Sequence, residues 1–185
     1  VIITVALIAG ILASLGQKSK KQEKGHIEVV SLNETISTMS DTLADIVVPA
    51  DTRKAALKAE KKSHKAEQKT QKKALKSGVA PTVKKRVFVL DFHGDLRASA
   101  VDSFREEITT VLAQASSTDE VVVRLESGGG MVPGYGLAAS QLDRIKKKSI
   151  PLTVCIDKVA ASGGYMMACV ADQILAAPFA VIGSI

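Results

Sequence analysis

The sequence has 185 residues, which is enough for one ordinary domain with additional segments, and its formal net charge is +6. The charge is uneven, because residues 51–86 hold thirteen Lys or Arg against three acidic residues, whereas residues 87–185 are slightly acidic. The basic character therefore belongs to a tether and not to the globular part. Two cysteines and three scattered histidines fit no zinc, redox or disulfide pattern, which excludes a metal centre of familiar spacing and a disulfide scaffold.

Residues 1–16 form an almost wholly apolar segment, and the basic residues 17–25 come directly after it. A cleaved signal peptide carries its positive charges before the apolar core, whereas here they come after it. The segment is shorter than the ~20 residues of a spanning helix. The sequence also lacks an initiator methionine and stops inside an apolar run, so we expect the N-terminal fragment of a longer protein. The pattern predicts a single-pass transmembrane anchor, and the basic residues on its exit side favour a cytoplasmic location for the rest of the chain.

Residues 17–50 form a juxtamembrane segment with clear helical signals. Ser31 with Glu34 three residues later is a capping box. The next apolar residues recur at helical spacing, namely Ile36, Met39, Leu43 and Ile46. This predicts a short amphipathic helix that ends before Pro49. Its apolar stripe could lie on the bilayer surface, on a partner subunit or on the main domain.

Residues 51–85 are a basic linker of mainly Lys, Ala, Gln and Glu, with very few apolar side chains to bury. The composition predicts either a solvated helix or a disordered tether. No aromatic residue is interleaved for base stacking, which disfavours a nucleic-acid arm. Attraction to anionic lipid headgroups beside the anchor needs no further assumption. The turn signal at Ser77–Pro81 marks the start of a domain over residues 86–185.

From residue 86 onward the pattern alternates between strands and helices. β-Branched and apolar runs predict strands over residues 86–92, 120–126, 152–156 and 173–176. The helix between the second and third strands carries Leu137, Leu142 and Ile145, and it ends in three lysines that suit a helix C-terminus. Repeated β-α-β units imply right-handed crossovers and an α/β domain with a mainly parallel sheet.

Two loops at the carboxyl ends of predicted strands form the candidate site. The first is Ser127–Gly130, called the glycine loop below. The second is the turn at Ser162, which precedes the pair Gly163-Gly164 and a helix-compatible run. In a parallel sheet such ends share one edge, so backbone N–H groups of the glycine loop could point at the Ser162 hydroxyl. A serine at a helix N-terminus with further N–H groups nearby is what acyl transfer requires.

Each of these signals also has a plainer interpretation. Ser162 could be only a helix N-cap, and the glycine loop could be only a flexible turn. A nucleotide site is excluded, because no Gly-Lys-Ser/Thr triplet of a P-loop occurs and Pro133 stands where a dinucleotide fingerprint needs glycine. Asp91 and His93, at alternate positions of a strand, are a sterically possible pair for a Ser-His-Asp triad.

Glu126–Val132 together with Asp157–Tyr165 resemble the paired motifs of the S49 serine peptidases, the family that includes signal peptide peptidase A. The likeness covers residues 86–185, and the anchor and basic tether are similar in layout to the membrane-anchored members. The resemblance implies an incomplete ClpP/crotonase-like domain, a Ser-Lys dyad, no cofactor and assembly into a homo-oligomeric ring. It further implies peptide substrates, such as signal peptides or membrane-associated peptides, and the bacterial inner membrane, with the side of the catalytic domain left open.

Carried over by motif, the resemblance implies that Ser162 is the nucleophile. The N–H groups of Gly130 and Gly163 would form the oxyanion hole, and Gly129 would shape the loop. The family usually has proline where this sequence has Gly128. Loss of the fixed φ of proline should loosen the loop at a cost of about 1 kcal/mol or less.

The general-base lysine of the family lies several dozen residues beyond the nucleophile, past Ile185. Lys158 is near Ser162 in sequence but does not occupy the lysine position of the family, so it is not assigned that role. We therefore expect the parent protein to be a membrane-anchored serine endopeptidase with an acyl-enzyme mechanism, and this chain alone to be inactive. The alternative is a non-catalytic ClpP/crotonase-like membrane scaffold, which the Gly128 departure favours.

Overall fold

The computed structural model describes residues 27–76 and 84–184. The anchor predicted over residues 1–16 lies outside the described residues, as does the boundary predicted at Ser77–Pro81. Within the two described ranges, no helix combines the length and the apolar content that crossing a bilayer requires.

Two helices precede the α/β unit. Helix α1, Leu32–Val47, begins after Ser31, whose Oγ accepts a hydrogen bond from the Glu34 N–H at 3.4 Å, as the capping box predicts. Its apolar stripe is exposed along its whole length, so no described residue buries it. Helix α2, Ala50–Lys76, comes next, and this part of the basic linker is therefore a solvated helix.

The remaining elements alternate between strands and helices and form one six-stranded sheet in which every pairing is parallel. They are β1 Val87–Gly94, α3 Val101–Gln114, β2 Glu120–Ser127, α4 Val132–Lys147, β3 Leu152–Ile156, β4 Val159–Ala161, α5 Gly163–Ala168, β5 Gln173–Ala176 and β6 Val181–Gly183. The α/β class and the parallel sheet are thus confirmed. The short strands β4 and β6 were not predicted from the sequence.

Strand β2 is the centre of the sheet, because it pairs with three strands, β1, β3 and β4. β1 pairs with the whole of one edge, from Glu120 to Ser127. On the other edge, β3 pairs with residues 121–124 and β4 pairs with the last residue, Ser127. β5 pairs with the other edge of β3, and β6 pairs with the other edge of β4. The sheet therefore divides beyond β2, which puts β4 at the carboxyl end of that strand.

The core lies on one face of the sheet. Successive side chains of a strand point to opposite faces, so burial at alternate positions marks the face that packs against the helices. In β2, the residues at positions 121, 123 and 125 are buried, whereas Arg124 and Glu126 face outward and form ion pairs. Helices α3 and α4 contribute large apolar side chains to this core: Phe104, Ile108, Leu112, Leu142 and Ile145. Leu137 of α4 is 40% exposed. Tyr135 and Ala138 occupy the buried face instead, at i, i+3 spacing.

A buried carboxylate joins the start of β1 to the turn before β2. Asp119 is fully buried and accepts hydrogen bonds from the backbone and guanidinium N–H groups of Arg86 at 2.8–3.1 Å. It also accepts the backbone N–H of Ser116 at 2.8 Å and the Ser116 hydroxyl at 3.0 Å. These donors, with the Arg86 side chain as the largest cause, hold the pKa of the Asp119 carboxyl well below its usual range. A buried charge is tolerated here because both carboxylate oxygens are hydrogen-bonded.

We expect Asp119→Asn to lower the melting temperature by roughly 5 °C or more, because the amide would place N–H groups against the donors of Arg86 and Ser116. Since the pKa is lower in the folded state than in the unfolded state, the stabilisation is complete above about pH 4 and is lost as the pH falls toward the folded value. Thermal denaturation across this pH range should therefore show a gap between wild type and variant that narrows on the acid side.

The matched control is Asp91→Asn, which removes an exposed ion pair with Arg124. Exposed ion pairs contribute little to stability, so the melting temperature should change by a small fraction of the Asp119→Asn effect. Equal losses in the two variants would contradict a structural role for the buried carboxylate.

Candidate active site

Strand pairing brings the two predicted loops to the same edge of the sheet. Ser127, the last residue of β2 and the first of the glycine loop, pairs with Ala160 in the middle of β4. β4 ends one residue later, and the chain turns at Ser162 into helix α5. Ser162 therefore lies beside the glycine loop, as expected from the parallel order of the strands.

The backbone of Gly129 lies directly against the backbone around Ser162. A Cβ atom placed on Gly129 would be 2.6 Å from Ser162 Cβ, 2.7 Å from the Ala161 carbonyl oxygen and 2.8 Å from the Gly163 nitrogen, which is closer than real atoms approach. Gly129 also has a φ of 87°, in the left-handed region. Only glycine satisfies both the conformation and the close approach at this position.

Ser162 combines a strained backbone with an exposed position. Its φ of 49° and ψ of −117° are rare for residues other than glycine and cost on the order of 1–3 kcal/mol. The Ser162 N–H holds the turn by donating to the carbonyl oxygens of Gly183 at 2.9 Å and Ser184 at 2.7 Å. The side chain makes no capping hydrogen bond, and the residue is exposed. Ser162 is therefore not an ordinary N-cap.

Two N–H groups of the glycine loop, those of Gly128 and Gly130, have no protein acceptor among the described residues. The Gly129 N–H donates to Ser127 Oγ at 3.0 Å, and the Met131 N–H donates to the Leu96 carbonyl oxygen at 2.8 Å. Between them, the Gly130 N–H donates to none of the described residues. A Cβ on Gly130 would collide with the Leu96 backbone, so the loop also requires glycine here.

Helix α5 provides a second open N–H group beside Ser162. The helix has six residues, and its first N–H, at Gly163, donates to no residue in the described ranges, as is usual for a first helical turn. A Cβ on Gly163 would lie 2.6 Å from Tyr135 Cδ2, and one on Gly164 would lie 2.8 Å from the Ser127 carbonyl oxygen. The glycine pair therefore allows α5 to pack closely while leaving the Gly163 N–H open.

Lys158 is engaged away from base chemistry. Its Nζ lies 3.0 and 3.1 Å from the two carboxylate oxygens of Glu126, and its side chain is 72% exposed. A lysine that serves as a general base is usually buried or lies beside another cation. Lys158 is exposed, and its amine is paired with the Glu126 carboxylate. This agrees with leaving Lys158 without a catalytic assignment.

Asp91 and His93 do not pair with each other. The Asp91 carboxylate binds Arg124 Nε at 2.5 Å and Nη2 at 2.6 Å. The nearest acidic partner of His93 is Glu126, with Nδ1 4.0 Å from Oε2. Because each side chain is directed to a different partner, the Ser-His-Asp alternative has no structural basis here.

The described ranges contain no group of three or more His, Cys, Asp or Glu side chains that could hold a metal ion. Cys155 is half-buried and Cys169 is exposed, and both are free. Burial raises the pKa of the Cys155 thiol, which makes it a poor nucleophile at neutral pH. Ser162, exposed at the carboxyl end of β4, remains the candidate nucleophile at this edge of the sheet.

Sequence reasoning missed the polar contacts that support the glycine loop. The hydroxyls of Ser127 and Tyr135 bond at 2.6 Å, and the Tyr135 hydroxyl also donates to the Asp95 carbonyl oxygen at 2.7 Å. The available signal was a tyrosine at helical spacing from Ala138 and Leu142 on the buried face of α4, because a buried tyrosine hydroxyl needs a partner.

We expect Gly129→Ala to slow the reaction of Ser162 with a fluorophosphonate probe by about 10-fold or more, because the added Cβ would displace the serine. Gly128→Ala is the matched control, since a Cβ there meets no atom within 4 Å, and its rate should stay within about twofold of wild type. Labelling rates of the full-length proteins provide the measurement. If both alanine variants react at the wild-type rate, the contact between position 129 and the serine does not shape the site.

Family profiles match nearly the whole chain. The profile described as "Peptidase family S49 N-terminal" matches residues 1–142, and the profile described as "Peptidase family S49" matches residues 144–185.

Curated relatives are similar along the entire sequence. A "Probable protease SohB" from Haemophilus influenzae is 51% identical over 187 residues, which cover 100% of this chain and 53% of the relative. A "Probable protease SohB" from Buchnera aphidicola subsp. Schlechtendalia chinensis is 44% identical over 186 residues, which cover 100% of this chain and 60% of the relative. The chain thus spans a little over half the length of these relatives.

Among solved structures, a ClpP1 mutant from Listeria monocytogenes is similar over 48% of this chain and 46% of its own, with 15% identity and a TM-score of 0.33. A TM-score this low does not establish a shared fold, so the ClpP/crotonase-like arrangement remains a prediction. The α/β class rests on the observed sheet. The N-terminal profile alone covers well over half of the sequence. The chain therefore belongs to peptidase family S49.

Proposed function

We propose that this chain carries the nucleophile and the oxyanion hole of a membrane-anchored serine endopeptidase. The observation that supports this most is the exposed, strained Ser162, which has the open N–H groups of Gly130 and Gly163 on the adjoining loop and helix. Backbone strain at residues other than glycine is concentrated at functional sites. A strained turn from strand to helix also presents the nucleophilic serine in other hydrolase folds.

In the proposed reaction, Ser162 Oγ attacks the carbonyl carbon of the scissile peptide bond while a general base takes the hydroxyl proton. The carbonyl oxygen becomes negatively charged and accepts hydrogen bonds from Gly130 and Gly163, where loss of one such donor costs about 10²–10³ in rate. The C–N bond then breaks, the leaving amine takes the proton from the base, and an acyl-serine ester remains. Water, deprotonated by the same base, hydrolyses the ester and restores the serine.

The proposed general base is a lysine outside the described residues. Lys158 is unsuited, because its amine is exposed and paired with Glu126. The chain spans 53% and 60% of the two SohB relatives, so the remainder of the whole protein has room to supply the base. We propose that these 185 residues are inactive without it.

The proposed setting is the bacterial inner membrane, with signal peptides or other membrane-associated peptides as substrates. The apolar residues 1–16 support an anchor. Helix α2 has ten Lys or Arg against three acidic residues, which supports attraction to anionic headgroups near that anchor. A homo-oligomer is proposed for the whole protein, and the exposed stripe of α1 leaves a surface for the bilayer or for another subunit.

A non-catalytic membrane scaffold is the alternative, and it rests on Gly128 in place of the proline usual in the family. A Cβ at Gly128 would meet no atom within 4 Å, and its φ is not positive. Position 128 thus accommodates a larger residue without a change in the site, and the departure gives the scaffold little support.

We expect a fluorophosphonate to label the full-length protein in membranes at Ser162, because the open amides beside this hydroxyl stabilise the charge that develops during attack. Ser162→Ala removes the hydroxyl and should reduce labelling by about 100-fold or more. Ser103→Ala, which alters an exposed serine of α3, is the matched control and should label like wild type. Equal labelling of the wild-type and Ser162→Ala proteins would refute the peptidase and favour the scaffold.

A further inference from the structure

A buried chain of hydrogen bonds runs from the glycine loop to the turn after β1, and we call it the hydroxyl chain. The Gly129 N–H donates to Ser127 Oγ at 3.0 Å, and the Ser127 and Tyr135 hydroxyls bond at 2.6 Å. The Tyr135 hydroxyl in turn donates to the Asp95 carbonyl oxygen at 2.7 Å. Ser127 is 2% exposed and Tyr135 is 0% exposed, so water does not compete for these bonds.

The direction of every proton in the hydroxyl chain is fixed by its ends. A carbonyl oxygen can only accept, so the single proton of the Tyr135 hydroxyl is directed to Asp95. The Ser127 hydroxyl must then be the donor in its bond with Tyr135. Ser127 Oγ thereby presents a lone pair to the Gly129 N–H. No other assignment satisfies all three bonds.

The hydroxyl chain anchors the peptide group on one side of the open Gly130 amide. The Gly129 N–H is held inward by Ser127, and the Met131 N–H is held by the Leu96 carbonyl oxygen. The Gly130 N–H lies between these two anchored peptide groups. A rotation of the Gly129 peptide group, which glycine would otherwise allow, would move the Gly130 N–H as well.

A single turn at residues 95–99 holds both sides of the loop. Its Asp95 carbonyl receives the hydroxyl chain, and its Leu96 carbonyl receives the first N–H after the glycine loop. The turn is closed by the Asp95 carboxylate, which accepts the Ser99 N–H at 2.8 Å. This hydrogen bond is the main reason that the pKa of the Asp95 carboxyl lies below its usual range.

We propose that Tyr135 is a positioning residue of the oxyanion hole and that it acts through Ser127. Its hydroxyl orients the Ser127 hydroxyl, which holds the Gly129 N–H and thereby keeps the Gly130 N–H directed at the substrate carbonyl oxygen. The inference rests on the proposed function, because it takes Gly130 as an oxyanion donor. Tyr135 and Ser127 touch no reacting atom, so neither is a catalytic residue.

The ring and the hydroxyl of Tyr135 have separable roles. The ring packs edge-on against Phe92, with centroids 6.4 Å apart, and fills the space beside Gly163. Tyr135→Phe keeps this packing and removes only the hydroxyl. The variant therefore tests the hydroxyl chain without opening a cavity in the core.

In the full-length membrane protein, we expect Tyr135→Phe to lower kcat for a peptide substrate, per serine titrated with a fluorophosphonate, by about 10- to 100-fold with little change in KM. A purely structural role would instead reduce the number of titratable serines and leave kcat per serine unchanged. Ser127→Ala should give a similar loss. Combining the two changes should cost no more than either alone, because both interrupt the same chain.

Tyr165→Phe is the matched control, since Tyr165 is the other of the two tyrosines and its hydroxyl takes no part in the hydroxyl chain. Hydrogen exchange over residues 127–131 gives a readout that needs no activity, and it should be faster in Tyr135→Phe than in wild type or the control. A kcat per serine within about twofold of wild type, or unchanged exchange, would overturn the positioning role. Absence of Ser162 labelling in wild type would instead reject the proposed function, and exchange would still decide whether Tyr135 holds the loop.

Discussion

The contact between the backbone of Gly129 and the backbone of residues 161–163 is the constraint on which the candidate site depends. It exists because position 129 has no side chain, and it brings the glycine loop against the turn that carries Ser162. The contact results from the pairing of Ser127 with Ala160, since β4 joins the carboxyl end of β2 while β3 pairs with the first half of that strand. The division of the sheet beyond β2 thus turns two separate loops into one site.

The strain at Ser162 is small beside the packing that surrounds it. Its backbone conformation costs on the order of 1–3 kcal/mol. An aromatic side chain such as Tyr135 buries about 150–250 Å², which corresponds to about 4–6 kcal/mol as an upper estimate. Because Tyr135 packs against Gly163, the residue after the strained serine, the same ring stabilises the core and the turn.

Local signals were sufficient to predict the four longer strands and the nearness of Ser162 to the glycine loop, because apolar runs, turn residues and parallel order are visible in the sequence. Strands β4 and β6 have three residues each and exist only through pairing with partners distant in sequence. The Asp119–Arg86 contact spans 33 positions and the Tyr135–Ser127 bond spans eight. Such polar pairs depend on tertiary packing, so a local pattern can indicate that the buried Tyr135 hydroxyl needs a partner but not which residue supplies it. The proposed oxyanion-hole roles of Gly130 and Gly163 came from the resemblance to a family. Which backbone N–H groups of the glycine loop have an acceptor came from the hydrogen bonds of the structure.

A structure of the full-length protein with a phosphonate attached to Ser162 is the most direct measurement of whether two separate turns converge on one oxygen. We expect the phosphonyl oxygen to lie within about 3.1 Å of both the Gly130 nitrogen and the Gly163 nitrogen. A phosphonyl oxygen that faces solvent, or that is bonded to neither amide, would contradict the convergence of the glycine loop and helix α5 on a single oxyanion.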